Sequence, residues 1–166
     1  MLGFLSKVFG SKHERDLKVI RPMVEEIHLA YEEITKLSHD ELRAKTVEFR
    51  KRINDHISEE LKEITELRSK AEASNDIQEK EGFFTQAEKL EKENLKKIED
   101  ILREILPEAF AVVKETAKRF KENSSITVQA TELDKELAVT KSYVKISGDS
   151  AVWANTWEAA GNEVKW

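Results

Sequence analysis

The chain contains no cysteine. Disulfides, thiolate metal centres and a thiol nucleophile are excluded, and a reducing compartment is compatible with that composition. Two prolines and five glycines in 166 residues force few breaks, so long helices are permitted. Aromatic residues make up 7% and charged residues 37%, a mix that suits solvated helices better than a dense globule. Long apolar runs are missing as well: none approaches the roughly 20 residues that cross a bilayer. The N-terminal apolar residues are interrupted, and no small-residue cleavage site follows them, so the sequence reads as lacking a signal peptide. There is no excess of positive charge either. A net charge of −5 argues against a nucleic-acid partner held by bulk electrostatics. The length fits one domain, or an elongated piece that buries little core.

What the sequence does contain is a helix start at Leu37-Ser38-His39-Asp40-Glu41-Leu42. Ser38 and Glu41 have the spacing of a capping box, each side chain satisfying a free backbone donor of the other. Asp40 and Glu41 place negative charge at the positive end of the helix dipole. Leu42, Phe49 and Ile53 then recur on one face, with Arg43, Lys45, Arg50 and Lys51 mostly elsewhere. Three- and four-residue steps continue through Ile57, Leu61, Ile64 and Leu67 to Ala71, so the helix is predicted to end near Ala73, a rod of roughly 50 Å. The stretch 73–76 reads as a turn. A returning helix is predicted with Phe83, Phe84, Ala87, Leu90, Leu95, Ile98, Leu102 and Ile105 on its inner side, completing an antiparallel hairpin of coiled-coil type.

Before this, 14–36 reads as a helix, with Pro22 where a first turn tolerates proline. Pro107 is predicted to end the returning helix, because it pushes Leu106 out of the helical region, and to open a new one. That last helix, with Ala109, Phe110, Ala111, Val112 and Val113, is expected to be the most buried. After Ser125 the period changes from 3.6 to 2. Ile126, Val128 and Ala130 alternate with polar residues, and Tyr143–Ile146 and Ala151–Trp153 flank a Ser-Gly-Asp-Ser turn, a β-hairpin pattern. The stretch 131–141 is either a helical turn or a loop. Trp157 and Trp166 lie at the margin of this small sheet, awaiting a partner or packing on the helices.

Catalytic motifs are scarce. There is no phosphate loop and no Gly-x-Ser-x-Gly elbow. Glu25-x-x-His28 has the spacing of half a bundle metal site, but no second Glu-x-x-His occurs, so no metal ligand is assigned. His39, in a first helical turn, and His56 are read as surface residues. The first 21 residues are apolar and basic: Leu2, Phe4, Leu5 and Phe9 with Lys7, Lys12, Arg15 and Lys18. The pattern fits an interfacial membrane anchor or a helix packing on a neighbouring domain or subunit.

Two stretches, Leu37–Arg50 and Ile105–Arg119, resemble in order the N-terminal region of the SecA preprotein translocase family. The Leu-Pro-Glu-Ala-Phe-Ala-Val-Val core at 106–113 is the most specific match, and Phe9-Gly10-Ser11-Lys12 with Arg15 is similar to the family's opening. The resemblance implies a fragment of an ATP-driven motor working at the cytoplasmic face of the membrane on unfolded preproteins and a SecY-type channel. ATP and Mg would belong to the full-length protein. Here the phosphate loop is absent, so no catalytic or cofactor-binding residue is carried over and the fragment alone is expected not to be an enzyme. The resemblance also implies contact of the first basic helix with acidic phospholipid and channel, and dimer contacts, through Leu2, Phe4, Leu5, Lys7, Phe9, Lys12, Arg15 and Lys18. The expected organisation is a basic segment 1–21, a family-like helical region 22–53 with 101–123, an inserted hairpin 54–100, and a small β insertion 124–166. The fold class is thus mainly α, with a minor β part at the C-terminal end. A free-standing coiled-coil adaptor and an independent peripheral membrane module are the alternatives.

Overall fold

The computed structural model describes residues 12–166. Among them the chain is mainly helical, with small antiparallel sheets at its C-terminal end, as the sequence predicts. Helix α1 spans Lys12–Ile34, α2 spans His39–Ala73 and α3 spans Ile77–Glu122. Strand β1 (Ser125–Gln129), a short helix α4 (Glu132–Thr140), and strands β2 (Val144–Ser147), β3 (Ser150–Ala154), β4 (Thr156–Ala159) and β5 (Asn162–Lys165) follow. The molecule divides into two compact units: residues up to Ala44 together with Pro107–Trp166, and Lys45–Leu106.

In the first unit, α2 begins at the capping box. The Ser38 N–H donates to Glu41 Oε2 at 2.8 Å and the Glu41 N–H donates to Ser38 Oγ at 3.2 Å. The Ser38 N–H, and then the Ser38 side chain, hydrogen-bond the Glu41 carboxyl and hold it below its usual range. Ile34 of α1, Leu42 of α2 and Ala111 of α3 form the helical core of this unit, with Tyr31, Leu37 and Val112 packed around them. Two prolines depart from expectation. Pro22 lies inside α1, and Pro107 lies inside α3 rather than between two helices. An interior proline removes one backbone hydrogen bond and costs about 3 kcal/mol. The chain tolerates this at Pro107 because packing fixes both flanks: Ile105 is buried in the second unit and Ala111 in the first. The preference of Leu106 for extended backbone is overridden.

In the second unit, α2 turns into α3 through Ser74–Asp76. Asp76 Oδ1 accepts from the N–H groups of Gln78 and Glu79, capping α3. Ile57, Ile64, Leu67 and Ala71 are buried along α2, and Ala87, Asn94, Ile101 and Ile105 along α3. These are steps of three, four and seven, the spacing of a straight seam between paired helices. Ion pairs Arg52–Glu104, Glu60–Lys97 and Arg68–Glu91 flank it. The inner face of α3 differs from the predicted one: Phe84, Leu95 and Leu102 are exposed, as is Leu61 on α2. They are apolar but lie at the edge of the buried stripe, to one side of the seven-residue seam, whereas Asn94 falls on that seam and is only 5% exposed.

The β segment belongs to the first unit. Strands β1, β3 and β2 form an antiparallel sheet in that order, with Ile126 opposite Trp153 and Val144 opposite Trp153 on the other side. Ile126, Val128 and Ala151 form its core, against Phe120 of α3 and Trp153. The predicted hairpin is present, with Gly148 at φ 59° in its turn. The stretch 131–141 resolves into a helix, because Thr131 and Asp134 form a second capping box. A second hairpin, β4–β5, has no counterpart in the sequence reading.

Candidate functional site

The sequence singles out the basic N-terminal segment. Leu2, Phe4, Leu5, Lys7 and Phe9 lie outside the described residues. Lys12, Arg15 and Lys18 lie on the first two turns of α1, all exposed. Steps of three wind them along one advancing face. Beside them α1 carries uncovered apolar side chains: Val19 is 78% exposed and Ile20 51%. Basic and apolar groups therefore share one solvent-facing helix, which suits a surface that is both apolar and anionic.

Two buried ion clusters, which the sequence reading missed, fix the surrounding framework. The first centres on Asp134, fully buried at the start of α4. Arg43 donates to it from both guanidinium nitrogens, at 2.7 and 2.8 Å. The Thr131 N–H and hydroxyl donate to Oδ2 at 2.7 and 2.8 Å, and the Trp153 indole N–H donates to Oδ1 at 3.1 Å. Burial by itself pushes this carboxyl up, but the donors from Arg43 and Thr131 outweigh it and hold it at about 2. Asp40, in the first turn of α2, accepts the Gln129 N–H at 2.8 Å. The start of α2 thus clamps β1 and α4.

The second cluster lies between α1, α2 and α3. Arg119 donates to Glu115 at 2.8 Å, to the Leu37 carbonyl at 2.7 Å and to His39 Nδ1 at 3.1 Å. Tyr31 donates to Glu115 at 2.9 Å. Burial raises the Glu115 carboxyl, but the Arg119 and Tyr31 hydrogen bonds bring it below its usual range. Burial, then the Glu115 partner, raises the Tyr31 hydroxyl. His39 is therefore a half-buried acceptor rather than a solvent-facing residue. The last turns of α3 bury Glu115 and Arg119, whereas Phe110 and Val113 are 52% and 66% exposed. The helix expected to be most buried presents an apolar face to solvent instead, because its inward face is taken by the ion pair.

Both clusters hydrogen-bond separate elements to one another, which holds the framework of this unit in place. Among the described residues no group of three or more His, Asp or Glu is placed to hold a metal ion. No described helix is long and apolar enough to cross a membrane.

Comparison with known proteins places these features in context. The family model described as the SecA DEAD-like domain matches residues 5–133. A protein translocase subunit SecA from Phocaeicola vulgatus is 50% identical over 164 residues, 98% of this chain and 15% of that relative. The subunit of the same name from Flavobacterium psychrophilum is 51% identical over 161 residues, 96% of this chain and 14% of its own. One from Porphyromonas gingivalis is 48% identical over 163 residues, again 98% of this chain and 15% of its own. The chain thus spans about 15% of the length of the curated relatives it matches. At 98% coverage, nearly all of the hairpin 54–100 and of the β segment 124–166 falls inside the matched region of the Phocaeicola vulgatus subunit. No solved structure matches.

Proposed function

The chain belongs to the SecA DEAD-like domain family, and from that membership we propose that it is the N-terminal part of an ATP-driven motor moving unfolded preproteins through a SecY-type channel. The observation that carries this is the near-50% identity to translocase subunits over almost the whole chain. A role in protein translocation follows from the family itself. Docking and packing are the chain's own share of it, because it contains no phosphate loop. ATP and Mg bind elsewhere in the whole protein. The exposed apolar face of α3 at Phe110 and Val113 packs on the motor domain. The basic, apolar start of the chain, including Lys12, Arg15 and Lys18, docks at acidic phospholipid and the channel on the cytoplasmic face of the membrane.

Co-sedimentation with vesicles tests the docking role. The chain is expected to pellet with phosphatidylcholine vesicles that contain phosphatidylglycerol, and to be released by salt. Reversing Lys12, Arg15 and Lys18 together to Glu leaves the fold intact, since all three are exposed. Each basic residue near such a surface contributes about 1 kcal/mol, so the triple variant should bind on the order of 100-fold more weakly. Equal pelleting of variant and parent would remove the docking role.

A further inference from the structure

All three tryptophans of the chain, with Tyr143 and Phe120, line one cavity of about 560 Å³. The rings meet pairwise: Phe120 and Trp166 at 6.0 Å, Trp157 and Trp166 at 5.3 Å, Tyr143 and Trp153 at 6.1 Å between centroids. Asn155 fixes the joint. Its N–H donates to the Ser124 carbonyl, its side-chain amide to the Phe120 carbonyl, and its own carbonyl accepts the Trp166 N–H at 3.0 Å. The three indoles are not equivalent. Trp153 spends its N–H on Asp134, whereas Trp166 is 56% exposed at the rim. The aromatic cavity is a groove bordered by Thr156, Trp157 and Glu158, which also line a second cavity of about 710 Å³.

The backbone beside the groove offers an edge: among the described residues β4 pairs with β5 alone. The two-residue turn at Ala160-Gly161 makes Ala159–Asn162 a hydrogen-bonded pair, and alternation makes Trp157–Val164 the next one. The N–H and C=O groups of Thr156 and Glu158 therefore point away from β5, and both residues line the groove. Such an edge is a template for one more strand. The charges around it balance, Lys141 and Lys145 against Glu158 and Glu163, which disfavours a phosphate-bearing or strongly basic ligand.

We propose that this groove binds an extended, uncharged polypeptide segment, which adds as a strand to the outer edge of β4 and places one bulky apolar side chain among Phe120, Trp157 and Trp166. Main-chain bonds supply affinity and the aromatic cavity supplies selectivity, as in strand addition generally. The groove is built from the end of α3 and the β segment, and its occupancy is independent of the translocase reading.

The test is nitrogen–proton NMR of the whole chain titrated with a blocked seven-residue peptide of Gly, Ser and Thr carrying one central Phe. The indole N–H signals of Trp157 and Trp166 and the amides of Thr156 and Glu158 are expected to shift, while the Trp153 indole stays in place. Replacing the peptide's Phe by Ser should abolish the shifts. Trp166→Ala and Glu158→Pro should each weaken binding about tenfold, one by removing a ring and the other by removing an outward N–H that an edge strand can lose. No shift with the Phe peptide overturns the proposal. So does equal binding of the Ser peptide, tighter binding of a peptide with central Lys, or self-association of the chain that occupies the groove first.

Discussion

Replacing Asp134 by Ala is expected to destabilise the first unit by about 2–4 kcal/mol, the combined cost of a lost helix cap and lost charge-assisted hydrogen bonds. Its partner Arg43, left behind still 31% exposed, would keep only the Thr131 hydroxyl and a 3.5 Å approach to the Gln129 carbonyl. The capping box of α4 and the Trp153 indole bond would be lost with it. The consequence reaches beyond one helix, because Asp134 joins α2 to both α4 and β3. Urea unfolding followed by Trp fluorescence reports on the same region, since Trp153 touches the carboxylate. The effect depends on pH in a defined sense. The folded carboxyl is held at about 2, below its ordinary 3.8. Its contribution is complete above the ordinary value and disappears as pH falls toward 2. A shift of nearly two units corresponds to about 2 kcal/mol. The parent protein should therefore lose stability steeply between about pH 5 and pH 2, and Asp134→Ala should lose less. Parallel pH profiles would contradict the assignment.

The second large effect is expected from Arg119→Ala. Glu115 is 5% exposed and would retain only the Tyr31 hydroxyl as a hydrogen-bonded donor. His39 Nδ1 and the Leu37 carbonyl would lose their donor too. The expected loss is about 3–5 kcal/mol. A double variant, Glu115→Leu with Arg119→Met, should recover most of it, because removing both charges leaves no buried ion behind. A double-mutant cycle by urea unfolding separates the two accounts. If the double variant is as unstable as the single one, lost packing rather than a stranded carboxylate explains the effect.

The parts of the fold legible in the sequence are those encoded locally. The Ser38–Glu41 box, the turn at Ser74–Asp76 and the Gly148 hairpin each declare themselves within a few residues, and all are present. The parts that were not legible depend on partners far along the chain. Arg43 and Asp134 are 91 residues apart, and His39 and Arg119 are 80 apart. No periodicity links them. The β4–β5 hairpin escaped notice because its turn is Ala160-Gly161, with Ala160 at φ 51°, where Asn or Asp before Gly is the usual signal. Pro107 reads as a helix break because local backbone preference carries no information on the burial of Ile105 and Ala111 on either side. Leu95 and Leu102 misled because apolar character was counted without its angle around the helix. Of the docking candidates that the resemblance implies, Lys12, Arg15 and Lys18 lie among the described residues, and all three are exposed.

The proposed role, docking within a translocase whose nucleotide chemistry lies outside this chain, has a direct biochemical consequence. Titration calorimetry with Mg-ATP tests it most directly, on this chain and on a chain extended through roughly the next 100 residues, the size of a further domain. The account predicts heat of binding from the folded extended chain and none from this one. Binding of ATP by this chain, or its absence from both folded forms, would contradict it.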